Sequence, residues 1–288
     1  MSNRNSVLEV FNINNNSNPK KYINVCAPMV RYSKLPFREL VRGYNVDLTY
    51  TPMILAKEFK NSNIARNSDF TTNKNDKPLI IQFASNDNVE LLKAVELIVG
   101  YVDGIDVNCG CPQKWAINEG IGVYLMEKPE KISDMIRTIK TNIPTLPCSI
   151  KIRIHNDLKK TIEFVKRAES IGIDFITVHG RTPNGNIFTL NDAEDIYNQT
   201  GVNGVMCARG LLRNPALFAG YDLTPWDCVE NFVRLSIAYG SNHFILHHHL
   251  MYMFEDVMSN AEKKSFNTLT SIPAIIDHLE EYYGLQLE

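Results

Sequence analysis

The sequence predicts an α/β protein of the TIM-type (β/α)8 barrel class, short of one helix-strand unit after His179 and followed by a small helical C-terminal domain. Three observations carry this. From about Tyr22, short β-branched runs alternate with longer segments of helical period, the pattern of a parallel sheet with crossover helices. Nearly every run ends in polar, cationic or thiol residues, as barrel strands do where they meet the active face. From about Thr224 the strand signal stops and aromatic-rich helical text takes over.

Seven strands are predicted: Ile23 to Met29, Leu48 to Thr51, Pro78 to Phe83, Gly104 to Asn108, Cys148 to Ile152, Phe175 to His179 and Gly204 to Cys207. Between them Leu91, Ala94, Val95 and Ile98 fall at i, i+3, i+4 and i+7. Ile132, Met135, Ile136 and Ile139 repeat that spacing behind Pro129, a residue suited to a first helical turn. Phe164, Ala168 and Ile171 form a third stripe, and Gly172 stops that helix. These stripes are core and carry no chemistry. Past Gly220 to Pro225, helices are expected over Phe244 to Val257 and Ala274 to Tyr283. Residues 1–21 read as a flexible N-terminus, 22–222 as the barrel and 223–288 as the helical domain.

The 288 residues are 44% hydrophobic, enough for one large core plus an appendage. The net charge of -2 advertises no nucleic acid, so any such contact needs a local basic face. Six scattered cysteines are too few for a disulfide scaffold and read as reduced thiols. With no signal-peptide core and no apolar window of ~18 residues, a cytoplasmic location is expected, with no membrane partner.

The strand ends carry the chemistry: Ala27-Pro28-Met29, Gln82, Asn108 to Cys111, Lys151-Ile152-Arg153, His179-Gly180-Arg181 and Ala208-Arg209-Gly210. A lone Lys or His there is ordinarily a solvated residue, whereas packing alone would favour Val, Ile or Leu at the whole set. Lys151, His179 and Arg209 offer donors to an anionic ring and a phosphate, and Gln82 can pair in both senses with a planar heterocycle. Gly185 and Gly210 would let backbone amides approach the phosphate. Flavin mononucleotide (FMN) suits that set.

Cys109 and Cys111 admit three readings: buried structural thiols, half a metal site, or one catalytic thiol. Metal is the weakest, because no second Cys or His pair stands at ligand spacing. Gly110 and Pro112 break the strand and put Cys111 in a loop, where a thiol near its usual ~8.5 stays protonated at neutral pH, as a general acid must.

Asn108-Cys109-Gly110-Cys111-Pro112-Gln113, with the Ala27, Lys151, His179 and Ala208 motifs in the same order, resembles the tRNA-dihydrouridine synthase family. The His248, Leu250, Met251, Tyr252 and Met253 region is similar to the eukaryotic branch acting at positions 20a and 20b of the D-loop. The resemblance implies that NADPH or NADH reduces FMN, that hydride passes to C6 of uracil, and that Cys111 protonates C5. It implies FMN contacts at Pro28, Met29, Val30, Gln82, Lys151, His179, Asn184, Gly185, Asn186, Ala208 and Arg209. It places Asn108 and Arg153 at the substrate base. It implies tRNA as partner, gripped by residues 223–288 after the uracil is swung out of its stack. A monomer without metal is expected. Lys263, Lys264 and His247 to His249 are candidates for the RNA grip, set against a plain solvated helix face.

One departure stands out. Arg181-Thr182-Pro183 runs straight into Asn184-Gly185-Asn186, where a complete barrel would interpose a helix and strand of roughly 20 to 30 residues. The gap near 183–184 should leave two unpaired strand edges and exposed apolar surface, with weak FMN binding and little activity. An RNA-binding pseudoenzyme and a small-molecule flavin oxidoreductase stay open beside the synthase.

Overall fold

The computed structural model describes residues 7–11, 21–180 and 186–287, which gather into two compact units. The first spans residues 48–185 with the N-terminal 20; the second combines 21–47 with 186–288. Seven parallel strands alternate with helices in the order of a TIM-type barrel one unit short, and a helical region follows.

In the first unit, β2 (Leu48–Leu55), β3 (Leu79–Ala84), β4 (Gly104–Cys109), β5 (Cys148–Arg153) and β6 (Phe175–His179) form a parallel ribbon ordered β6-β5-β4-β3-β2. Side chains alternate between faces along a strand. Ile81, Phe83, Ile105, Val107, Cys109, Ile150 and Ile152 turn to one face and join a single core with Leu91, Val95, Ile132, Ile136, Ile139 and Phe164 of the flanking helices. The intervening positions, Gln82, Asp106, Asn108, Ser149, Lys151 and Arg153, share the opposite face. Register aligns them: Gln82 lies beside Asp106, Asn108 beside Lys151, and Arg153 beside His179.

Local rules place the helix ends. Asp87 Oδ1 accepts from Glu90 N at 2.8 Å and Asp157 Oδ1 from Lys159 N at 3.0 Å, each capping the helix that follows. Pro129 begins Pro129–Asn142 as expected, and Gly172 stands just past Leu158–Ser170 at φ 82°. β2 runs four residues beyond its predicted end. Pro52, lacking an N–H, is absorbed as a register irregularity between Tyr50 and Met53.

The strands beside the sequence gap are the least buried. Every position of β3 and β4 is buried, whereas β6 grades from half-buried to exposed, with Val178 at 48%. Among the described residues β6 has β5 as its strand neighbour and none beyond. On the adjacent helix Leu158–Ser170, Leu158 and Ile162 are 61% and 53% exposed. Apolar surface therefore lies open beside the gap, as removal of a helix-strand unit requires. Near the chain start, Val7–Val10 form a helical turn with Val7 fully buried, and the Phe11 ring sits 5.0 Å from that of Phe175.

In the second unit β1 (Ile23–Cys26) pairs in parallel with β7 (Gly204–Cys207). Gly204 is dictated by this pairing, since a Cβ would come 2.6 Å from Ile23 Cγ1. β1 ends three residues before its predicted end: Ala27 N still bonds Cys207 O, but beyond Pro28 the Met29 amide turns to Ser33 Oγ. The helices Leu35–Arg42, Trp226–Ala238, His243–Met253, Asn260–Phe266 and Ile272–Tyr283 bury Phe37, Phe232, Leu246, Leu250, Phe266 and Leu279 in one core. Among the described residues no helix is long and apolar enough to cross a membrane.

Candidate active site

The polar face of β3 to β5 converges on Asp106, which is fully buried. Ser149 Oγ donates to its Oδ1 at 2.7 Å and Gln82 Nε2 to its Oδ2 at 2.7 Å. Gln82 Oε1 in turn accepts from Asn108 Nδ2 at 2.8 Å. Asn108 Oδ1 is thereby turned toward the loop, where it accepts from Gly110 N at 3.2 Å and Cys111 N at 2.9 Å. The carboxylate, an acceptor only, thus sets the orientation of each amide in turn, out to the backbone of Cys111.

Burial pushes the Asp106 carboxyl up to about 6, opposed by its bonds to Ser149 and Gln82 and by the charge of Lys151. Lys151 is half-buried; burial lowers its ammonium, the Asp106 charge opposes that, and Arg153 adds to it. The Tyr50 phenol points at the same cluster and is pushed up by burial and the Asp106 charge against bonds to Thr177 and Ser149.

The two neighbouring thiols part company. Cys109 is fully buried in the helix-facing core, and burial first, then the charge of Asp106, drives its thiol far above the ordinary range. Cys111 is half-buried and, like Met53 and Leu55, packs against the cluster of Ala84, Ala116 and Ile121. Its carbonyl accepts from Val123 N at 3.0 Å, and Arg153 Nε donates to Gly110 O at 2.6 Å, so the loop is tied on both sides. Gly122 closes it: at φ 66°, an added Cβ would stand 2.5 Å from Cys111 O.

The first unit thus brings together Gln82, Asn108, Cys111, Lys151 and Arg153, with exposed His179 at the end of β6 opposite Arg153. In the second unit Pro28 and Met29 are half-buried after β1 and Val30 is exposed. Arg209 Nη2 donates to Asn186 Oδ1 at 2.6 Å beside Ala208. Gly210 is required there by packing, because a Cβ would fall 1.9 Å from Ile187 O. Asn184 and Gly185 lie outside the described residues. Sequence reasoning missed Asp106, Ser149 and Gly122. A signal existed for Asp106, an acid two residues before Asn108 inside a β-branched strand.

Comparison with known proteins bears on this arrangement. The family model described as dihydrouridine synthase (Dus) matches residues 25–184 and 182–274, two segments meeting where the chain departs from a complete barrel. A human protein named tRNA-dihydrouridine(20a/20b) synthase NAD(P)+-like is 47% identical, with 91% of this chain and 92% of that one covered. Schizosaccharomyces pombe and Saccharomyces cerevisiae proteins named tRNA-dihydrouridine(20a/20b) synthase NAD(P)+ are 43% and 41% identical, covering 96% and 88% of this chain and 91% and 78% of their own. The human alignment runs over 290 positions, yet 91% of 288 residues is about 262, so about 28 of its positions stand opposite no residue here. That is the size of one helix-strand unit with its loops.

Proposed function

The chain belongs to the dihydrouridine synthase family, and on that premise we propose that it reduces uridine to 5,6-dihydrouridine in the D-loop of tRNA, at positions 20a and 20b. The residues proposed to contact FMN are Gln82, Lys151, His179, Asn184 and Gly185, together with Pro28, Met29, Val30, Asn186, Ala208 and Arg209. The donor set fits such a group: Lys151 is a partly desolvated cation beside rigidly oriented amides, suited to a planar heterocycle that gains negative charge. When bound, reduced FMN supplies the hydride for uracil C6, with NADPH or NADH as the source of its electrons.

The chain's own residues do the rest. Cys111 Sγ–H gives its proton to C5, leaving a thiolate that solvent reprotonates. Asn108 sets the Cys111 loop and lies beside the base, and Arg153 braces the loop carbonyl from the other side. Residues 223–288 bind the tRNA, and the chain works in the cytoplasm as a monomer. The observation that carries this reading is the relay from Asp106 through Gln82 and Asn108 to the Cys111 amide, which singles out one of two adjacent thiols. In a tRNA reduction assay, Cys111→Ala should abolish dihydrouridine while flavin absorbance persists, and Cys109→Ala should remain active. Full turnover by the Cys111 variant would refute the assignment.

A second reading is favoured by the missing positions and the half-exposed β6: the chain binds RNA but holds FMN weakly and turns over slowly. Its visible spectrum tests this, since stoichiometric flavin with the turnover of complete relatives would exclude it. A small-molecule flavin oxidoreductase has no use for the appended helices, so salt-dependent tRNA binding separates that alternative.

A further inference from the structure

The His243–Met253 helix presents a run of histidines whose rings divide sharply. His247 and His249 are buried, with Nε2 atoms 3.1 Å from Phe266 O and 3.2 Å from Tyr32 O, and both rings belong to the core. His248 alone of these three is half-buried and turns to a different set of neighbours. Its ring lies 3.9 Å from that of Phe244, one helical turn earlier, and its Nδ1 is 3.2 Å from the Tyr32 hydroxyl.

Phe244 is 42% exposed, so part of its ring is open to a ligand. The Arg31 guanidinium is 5.5 Å from its centroid. Arg31 is exposed and adopts φ 72°, a left-handed conformation that non-glycine residues seldom take, in the turn where Met29 O accepts from Tyr32 N and Ser33 N. Exposed Val30 precedes it. The turn after β1 and the first turns of the helix therefore present a cation, a part-exposed phenylalanine ring and an imidazole side by side, within one compact unit.

We infer that Arg31, Phe244 and His248 form a binding surface for an unpaired nucleotide of the RNA substrate, with a base against Phe244 and its phosphate at Arg31. The inference rests on the tRNA reading above and names residues for it. Single-stranded segments are held by this pairing of aromatic faces with guanidinium groups, because every base has a π-face and every linkage a negative charge. In a chain of net charge -2 the polyanion must be met by such local cations rather than by an overall field.

Fluorescence anisotropy with the full chain and unmodified tRNA tests it. Phe244→Ala should raise Kd on the order of tenfold, while Phe244→Tyr, which keeps the ring, should bind as wild type. Arg31→Gln should weaken binding and flatten the salt dependence by about one phosphate contact. All three should stay folded by far-UV circular dichroism at the assay temperature, with flavin absorbance unchanged. Wild-type affinity in Phe244→Ala, or equal loss in the Ala and Tyr variants, overturns the surface while leaving the tRNA reading intact. A wild-type chain that binds no tRNA overturns both.

Discussion

Asn108→Ala is expected to cost about 3 kcal/mol and to loosen Cys111 at the same time. The side chain makes three hydrogen bonds, at 2.8 Å to Gln82 Oε1, 3.2 Å from Gly110 N and 2.9 Å from Cys111 N. Gln82 is buried, so its orphaned oxygen bears most of a desolvation penalty, while the half-buried loop amides recover part of theirs from water. At ~1 kcal/mol for each bond lost, the total is about 3 kcal/mol. The loop keeps its ties from Arg153 to Gly110 O and from Val123 to Cys111 O, so it should fray rather than unfold. Urea unfolding reads the first effect. Alkylation of Cys111 reads the second, since the other five cysteines are buried. Asn108→Asp sharpens the test: it keeps an acceptor for the loop amides but sets a carboxylate against Gln82 Oε1, so it should lose stability without loosening the loop as far. An alanine variant within ~0.5 kcal/mol of wild type, alkylated at the wild-type rate, would refute the relay.

Three further outcomes follow from the same geometry. Asp106 titrates near 6 in the folded chain against an ordinary 3.8, so the folded state holds that proton more tightly; its contribution is full below about pH 4, falls as pH rises toward 6, and is gone above. Asp106→Asn should remove that slope, worth about 2 kcal/mol between pH 4.5 and 7.5, since the amide can donate to Ser149 Oγ and its oxygen accept from Gln82, and urea titrations at those two pH values measure it. Gly122→Ala should destabilise by about 2 kcal/mol or more and displace the Cys111 loop, visible in chemical denaturation, because the new Cβ meets the Cys111 carbonyl at a positive φ. Amide hydrogen exchange should be markedly faster in β6 than in β4, whose residues are all buried; equal protection would mean that the open edge is covered in solution.

What the sequence by itself determined was the seven strands and the apolar stripes of the helices behind them. In β3, β4 and β5 one face had to be apolar to pack helices, and the parity of Ile81, Ile105 and Ile150 made both the strand and the polar opposite face legible. Gly110 and Pro112 likewise revealed that Cys111 leaves its strand, and the direct join from Pro183 to Asn184 revealed the gap. Tertiary structure decided the rest, because those facts are distances between residues far apart in the chain. Asp106 became a hub only when Gln82, 24 residues before it, and Ser149, 43 after it, came into register. The different fates of Cys109 and Cys111 depend on which face of β4 each meets, and Gly122 is required only because the Cys111 carbonyl lies against it. Of the histidine run, packing decided that His247 and His249 are buried and His248 is not: successive positions of one helix point in different directions, and the elements packed against it settle which are covered.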